Sequence, residues 1–255
     1  MTKLSNLCIT AALTYLVCST SVLAEDEKSN PSIRPIEIFA CDYNNGKDAA
    51  DLVRATARWN TWMNKNNQSE YWAFTLAPMF HSEQIDFDVA WVGGWKDGAT
   101  MAASTEFWLT KGALMQAEFA KVVTCNIHTN FAVLDISPSP DPWASGPVEF
   151  SNCTVEKGRS HEDAIGAIHK WIAYQSEHGI ESGNYVLYPA YGESSEAEYD
   201  FKWVVGYSYK AFGKNYDMYG TGAGWRKAEE LFGGLLDCDN ARVYHATAVR
   251  TVELD

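Results

Sequence analysis

The chain has 255 residues, 33 of them acidic against 20 basic, for a formal net charge of −13. That balance argues against nucleic acid and anionic membrane surfaces as partners, since both repel an acidic surface. With 46% apolar residues there is material for one large or two small cores, and beyond the leader no stretch has the uninterrupted apolar length of a transmembrane helix.

Residues 1–24 read as a secretory signal peptide. Lys3 supplies the positive start, Leu7 to Cys18 a short apolar run, and Val22-Leu23-Ala24 a small-residue cleavage site before polar Glu25-Asp26-Glu27. Val17 fits a lipoprotein signal poorly, because a small residue is wanted before Cys18. Cleavage leaves 33 acidic and 19 basic residues, a charge of −14, and a periplasmic or secreted protein. Residues 25–35 form a polar tail.

A first repeat spans 36–136. Its opening strand alternates, Ile36-Glu37-Ile38-Phe39-Ala40, and ends at Cys41. A helix follows, with Asp48 as N-cap and Asp51 three residues on, and Leu52, Ala55, Trp59 and Met63 at helical spacing. Strands are expected at 71–76, ending at Pro78, and at 88–95, then a Gly- and Met-containing loop, a helix over 111–123 and a last strand over 129–136. Residues 137–147 form a linker whose prolines (Pro138, Pro140, Pro142, Pro147) forbid helix and central strand. The second repeat, 148–255, runs through the same order: a strand at 148–150, a helix capped by Ser160, strands at 185–188 and 200–207, a helix over 224–236 and a strand over 242–249.

The halves match residue by residue. Cys41, Gly46 and Trp59 recur as Cys153, Gly158 and Trp171, and Asp88, Trp91 and Gly94 recur as Asp200, Trp203 and Gly206, each 112 positions on. Cys125 recurs as Cys238 at 113. Such an offset marks an internal duplication. Four cysteines outside the leader allow three pairings, and the duplication selects Cys41–Cys125 with Cys153–Cys238. The element order β-α-β-β-α-β, written twice, is the split βαβ arrangement, with strand order 4-1-3-2. That order sets the end of strand one beside the start of strand four, where each proposed bridge lies.

A tandem pair of such repeats resembles the dimeric α/β-barrel superfamily of ferredoxin-like proteins. The resemblance is topological and covers nearly the whole mature chain. It implies an α+β fold in which the two sheets face each other as an intrachain pseudo-dimer barrel, and hence a monomer with internal pseudo-symmetry. Members include cofactor-free monooxygenases and haem-dependent enzymes. No catalytic motif of any member is present, so no functional residue carries over, and fold does not fix function.

The repeated polar signal is four acids, Glu37, Asp88, Glu149 and Asp200. Each reads as a pocket carboxylate, as a solvated strand-end acid, or as a hydrogen-bond acceptor for a free backbone N–H. The repeated tryptophans Trp91 and Trp203 read either as core or as the wall of an aromatic-lined pocket on the third strands. Asn45-Gly46-Lys47 and Arg159 lack the spacing of a phosphate loop. His128 and His245 do not repeat, so a ligand role in one half stays open beside a structural one. No cysteine–histidine spacing indicates a metal, and no cofactor is expected. The function classes are therefore a binding module for a small apolar or aromatic molecule, a cofactor-free oxygenase or isomerase using a pocket carboxylate, and an interaction-only protein with a filled core.

Overall fold

The computed structural model describes residues 33–83 and 85–253; the expected leader lies outside the described residues. The first half contains β1 (Ile33–Tyr43), α1 (Ala49–Lys65), β2 (Trp72–Phe80), β3 (Val89–Gly94), α2 (Gly98–Lys111), α3 (Ala113–Ala120) and β4 (Val123–Ser137). The second contains β5 (Gly146–Val155), α4 (His161–Glu177), β6 (Ser182–Tyr191), β7 (Phe201–Tyr207), α5 (Tyr209–Gly220), α6 (Gly224–Phe232), β8 (Leu236–Cys238) and β9 (Arg242–Arg250).

The first helices form as their caps dictate. Asp48 accepts from the Asp51 backbone N–H, and Ser160 and Asp163 bond each other's backbone as a capping box. The expected loops before the second helices are instead helical. Asp97 caps α2 by accepting from Thr100 N, and Ser208 caps α5 by accepting from Ala211 N. Gly98 opens α2 and Gly213 sits inside α5, where a glycine costs roughly 1 kcal/mol, and both obscured the signal. Two expected boundaries also move. Gly146-Pro147 belongs to β5, and a Cβ on Gly146 would lie 2.3 Å from the Tyr207 carbonyl oxygen, so the strand enters where only glycine fits. β2 and β6 run past Pro78 and Pro189, and the β2–β9 and β4–β6 registers shift near those prolines.

The strands are ordered β7-β6-β4-β1-β3-β2-β9-β5, and β5 pairs back with β7, closing an eight-stranded antiparallel barrel. β8 extends β5 beyond β9. The two halves supply β4-β1-β3-β2 and β9-β5-β7-β6 and join through β4–β6 and β2–β9. They therefore meet edge to edge in one closed wall rather than as two separate facing sheets. Alternation gives the wall two apolar faces. Inward residues such as Ile36, Val92, Phe131, Phe150, Leu187 and Val204 form one cluster drawn from both halves. Outward residues pack under the helices, Tyr71 and Trp91 in one cluster with Trp59 of α1 and Trp203 and Tyr207 in another with Trp171 of α4.

Both expected disulfides form, Cys41–Cys125 and Cys153–Cys238, each across directly paired strand positions. Bridges of this kind persist in oxidising compartments. Among the described residues no helix is long and apolar enough to cross a membrane.

Candidate functional site

The barrel is hollow. A cavity of about 1560 Å³ opens at the end where the 138–145 connection crosses the wall. Its floor is apolar, with Ile36, Leu76, Val92, Val133, Phe150 and Val204. Its mouth is aromatic. Phe74 and Trp143 stack with ring centroids 5.9 Å apart, and Trp72 stands 6.4 Å from Trp143. Arg34 lies over the rings of Trp72 and Tyr185, at 5.4 and 5.8 Å, and forms a two-bond pair with Asp135 at 2.9 and 2.8 Å. Planar cations favour such faces, and the two-bond geometry fixes the guanidinium. Burial pushes the Tyr185 hydroxyl pKa up, with the Arg34 charge opposing it.

None of the six sequence candidates lines this cavity. Trp91 and Trp203 sit on the third strands, β3 and β7, as expected, but on the opposite face, under the helices. Trp91 Nε1 donates to the Tyr71 hydroxyl, and that hydroxyl donates to Glu37 Oε1, both at 2.7 Å. Glu37 Oε2 lies 2.8 Å from His128 Nε2, and His128 stacks on Phe39. Burial, then the Glu37 charge, raises the Tyr71 pKa well above its ordinary value. In the second half Trp203 donates to Asn184, and Tyr207 reaches Glu149 only at 3.5 Å. Burial raises the Glu149 carboxyl to about 7, with the Tyr207 bond opposing it.

Asp88 and Asp200 hold backbone. Asp88 accepts from Tyr43 N at 2.8 Å and Asp200 from Val155 N at 2.7 Å, while their own N–H groups bond Cys41 O and Cys153 O. Each aspartate thus ties the start of a third strand to the end of a first strand, beside the disulfide. Of the unmatched histidines, His128 meets Glu37 and His245 meets the Tyr209 hydroxyl at 2.8 Å. Among the described residues no cluster of three or more metal-ligating side chains occurs.

Haem, which the resemblance brings with it, can be tested against this cavity. Its described lining holds no His, Cys or Met. Of its tyrosines, Tyr207 is turned toward Glu149, and burial disfavours the phenolate of Tyr185. The usual iron ligands are not offered here, so the cavity does not fit haem.

The cavity and the Arg34–Asp135 mouth had no legible sequence signal. Arg34 falls in what reads as a polar tail, and Trp143 in a linker. The one available clue was a tryptophan inside a proline-rich connection.

No protein-family model matches the chain, and no curated protein does. Solved structures do. A monooxygenase candidate from Fusobacterium nucleatum is 8% identical with a TM-score of 0.53, covering 86% of this chain and 94% of that one. A mutant chlorite dismutase from Candidatus Nitrospira defluvii is 5% identical at 0.52, covering 87% and 94%. A monooxygenase candidate from Lactobacillus acidophilus is 10% identical at 0.51, covering 86% and 96%. At such identities the likeness is one of fold. The chain has the architecture of the dimeric α+β-barrel, ferredoxin-like proteins over most of its length.

Proposed function

We propose that this is an exported, monomeric binding protein, built from two ferredoxin-like repeats (36–136 and 148–255), that takes a small apolar or aromatic molecule into its barrel. The observation that carries this reading is the hollow interior: an apolar floor drawn from both halves under an aromatic mouth. Ligand sites are concave, mostly apolar and furnished with few polar groups, here Arg34 and Asp135. The acid best placed at the cavity, Asp135, is already committed to Arg34, which favours binding over proton transfer. A hollow interior also weighs against an interaction-only role.

Titration with N-phenyl-1-naphthylamine, a neutral fluorescent aromatic, tests the proposal. Val204→Trp, which fills the floor, is expected to weaken binding at least tenfold, while Trp203→Phe on the opposite face leaves it unchanged. Equal affinity in both folded variants overturns the cavity as the site.

One observation favours a second reading, a cofactor-free oxygenase or isomerase. Tyr207 lines the cavity while its hydroxyl faces Glu149, whose carboxyl titrates near neutrality. Turnover of a bound ligand that Glu149→Gln abolishes, without loss of affinity, would establish it.

A further inference from the structure

A second cavity, of about 470 Å³, lies at the other end of β5 and β7 from the mouth. Lys202 of β7 points into it from the inward face. Its Nζ donates to Asn152 Oδ1 at 2.9 Å, stands 4.0 Å from the centre of the Tyr199 ring and 5.6 Å from that of Phe131. Phe131 is a fully buried member of the barrel core, so the ammonium is pressed against the apolar end of that core. Among the described residues Lys202 forms no ion pair; Lys47, Lys121 and Lys227 each meet a carboxylate. Acids line the same cavity: Glu193, Glu196, Glu198, Asp237 and Asp239. The equivalent position of the first half is Ala90, so this site has no counterpart there.

We propose that Lys202 is a carbonyl-reactive amine that forms a Schiff base with small neutral or cationic aldehydes entering this cavity. The Nζ lone pair attacks the carbonyl carbon and gives a carbinolamine. Protonation of its hydroxyl releases one water as the C=N bond forms, so lysine and aldehyde become imine and water with no oxidant or reductant. The Glu193 carboxyl, whose charge already acts on Lys202, is the group placed to move that proton. The resulting iminium cation is stabilised by Glu193 and Asp239. The same acids repel anionic aldehydes.

The protonation balance agrees. Burial lowers the Lys202 pKa to about 8; Glu193 and Asp239 pull it up and Arg242 pushes it down. At pH 7 roughly a tenth of such an amine is neutral, against fewer than about one in a thousand for an ordinary lysine.

The test is reductive trapping on the intact protein. Betaine aldehyde, a fixed cation, is added at pH 7 with sodium cyanoborohydride, and each lysine is quantified by peptide mass spectrometry. Lys202 is expected to label at least about tenfold faster than exposed Lys65 and Lys157, with a rate that levels off above pH 8. Glyoxylate should label it several-fold more slowly at low salt, and the gap should close at high salt. The comparison is internal to the wild-type protein and needs no variant to fold. Lys202→Arg, where folded, should remove the fast label only. Labelling of Lys202 at or below the rate of Lys65 and Lys157, or no preference for betaine aldehyde over glyoxylate, overturns the proposal.

Discussion

Glu149→Gln should make the protein more stable at pH 8 and leave it nearly unchanged at pH 4. The carboxyl is buried, and its one side-chain hydrogen-bond partner among the described residues, the Tyr207 hydroxyl, is at the 3.5 Å limit of a hydrogen bond. Burial raises its pKa from 4.5 to about 7. The folded state therefore holds a proton that the unfolded chain has lost across that window. Stability contributed by the neutral acid is full below about 4.5 and falls as pH rises through 7. At about 1.36 kcal/mol per pK unit the loss is roughly 3 kcal/mol, an upper value because residual water discounts it. Glutamine keeps the shape and carries no charge, so the loss disappears. Denaturant unfolding without reductant, run on both proteins from pH 4 to pH 8.5, isolates the term, because other titrating groups cancel in the difference. Curves that stay parallel across the range would refute the reasoning.

Non-reducing peptide mapping should return Cys41–Cys125 and Cys153–Cys238. Removing either bridge as a double serine variant should cost about 4 kcal/mol, read as a lower denaturation midpoint. Asp200→Ala leaves the Val155 N–H without its acceptor and should cost about 1–2 kcal/mol; Asp88→Ala should cost less, since water reaches that exposed site. Gly93→Ala places a Cβ 1.8 Å from the Tyr71 hydroxyl, so Tyr71 must leave its slot, at a cost of about 3 kcal/mol and a changed near-ultraviolet signal from Trp91.

The duplication made the covalent frame readable, because two copies of one spacing leave a single consistent pairing of Cys41, Cys125, Cys153 and Cys238. The strand-end aspartates were readable too, though only as one of three alternatives. What could not be read was orientation. In a strand with one solvated face, alternation names the buried side; in this barrel both faces are buried, one by the opposite wall and one by helices. Trp91 and Val92 are both apolar, and nothing in their order says which of them meets the helices. Bulk decides it only after closure. Closure turns Val92 inward to the shared cluster and Trp91 outward against Trp59 of α1. The cavity mouth was hidden for a different reason. Arg34 and Asp135 are 101 positions apart, and Trp143 of the connection stacks on Phe74 of β2. No local pattern encodes such contacts.

Where the halves differ, one residue exchange explains several observations. Gly93 stands opposite Glu37, and Val205 stands opposite Glu149 at the same place in the second half. The missing Cβ of Gly93 leaves a slot into which Tyr71 reaches, giving Glu37 a 2.7 Å donor whose oxygen also accepts from Trp91. Val205 fills the matching slot. The tyrosine of the second half comes instead from Tyr207, two residues further along β7, and its hydroxyl stops 3.5 Å short. Glu149 is therefore buried with weak compensation, and that burial is what lifts its carboxyl toward neutrality. Tyr207 in turn borders the large cavity, where the first half offers Trp95 at the equivalent position. The second half thus combines a carboxyl that burial lifts to about 7, a tyrosine between it and the cavity, and Lys202, which forms no ion pair among the described residues. The first half has a satisfied glutamate, and Ala90 where Lys202 stands. Chemistry in this protein, if it accompanies binding, belongs to the second half, and Val205→Gly is the substitution that should begin to make the halves alike. It opens the slot, lets the Tyr207 ring settle toward Glu149 and shifts the carboxyl back down, which a carbon-13 titration of the glutamate side chains would record. An unchanged Glu149 midpoint in the folded variant would show that the valine is not the cause.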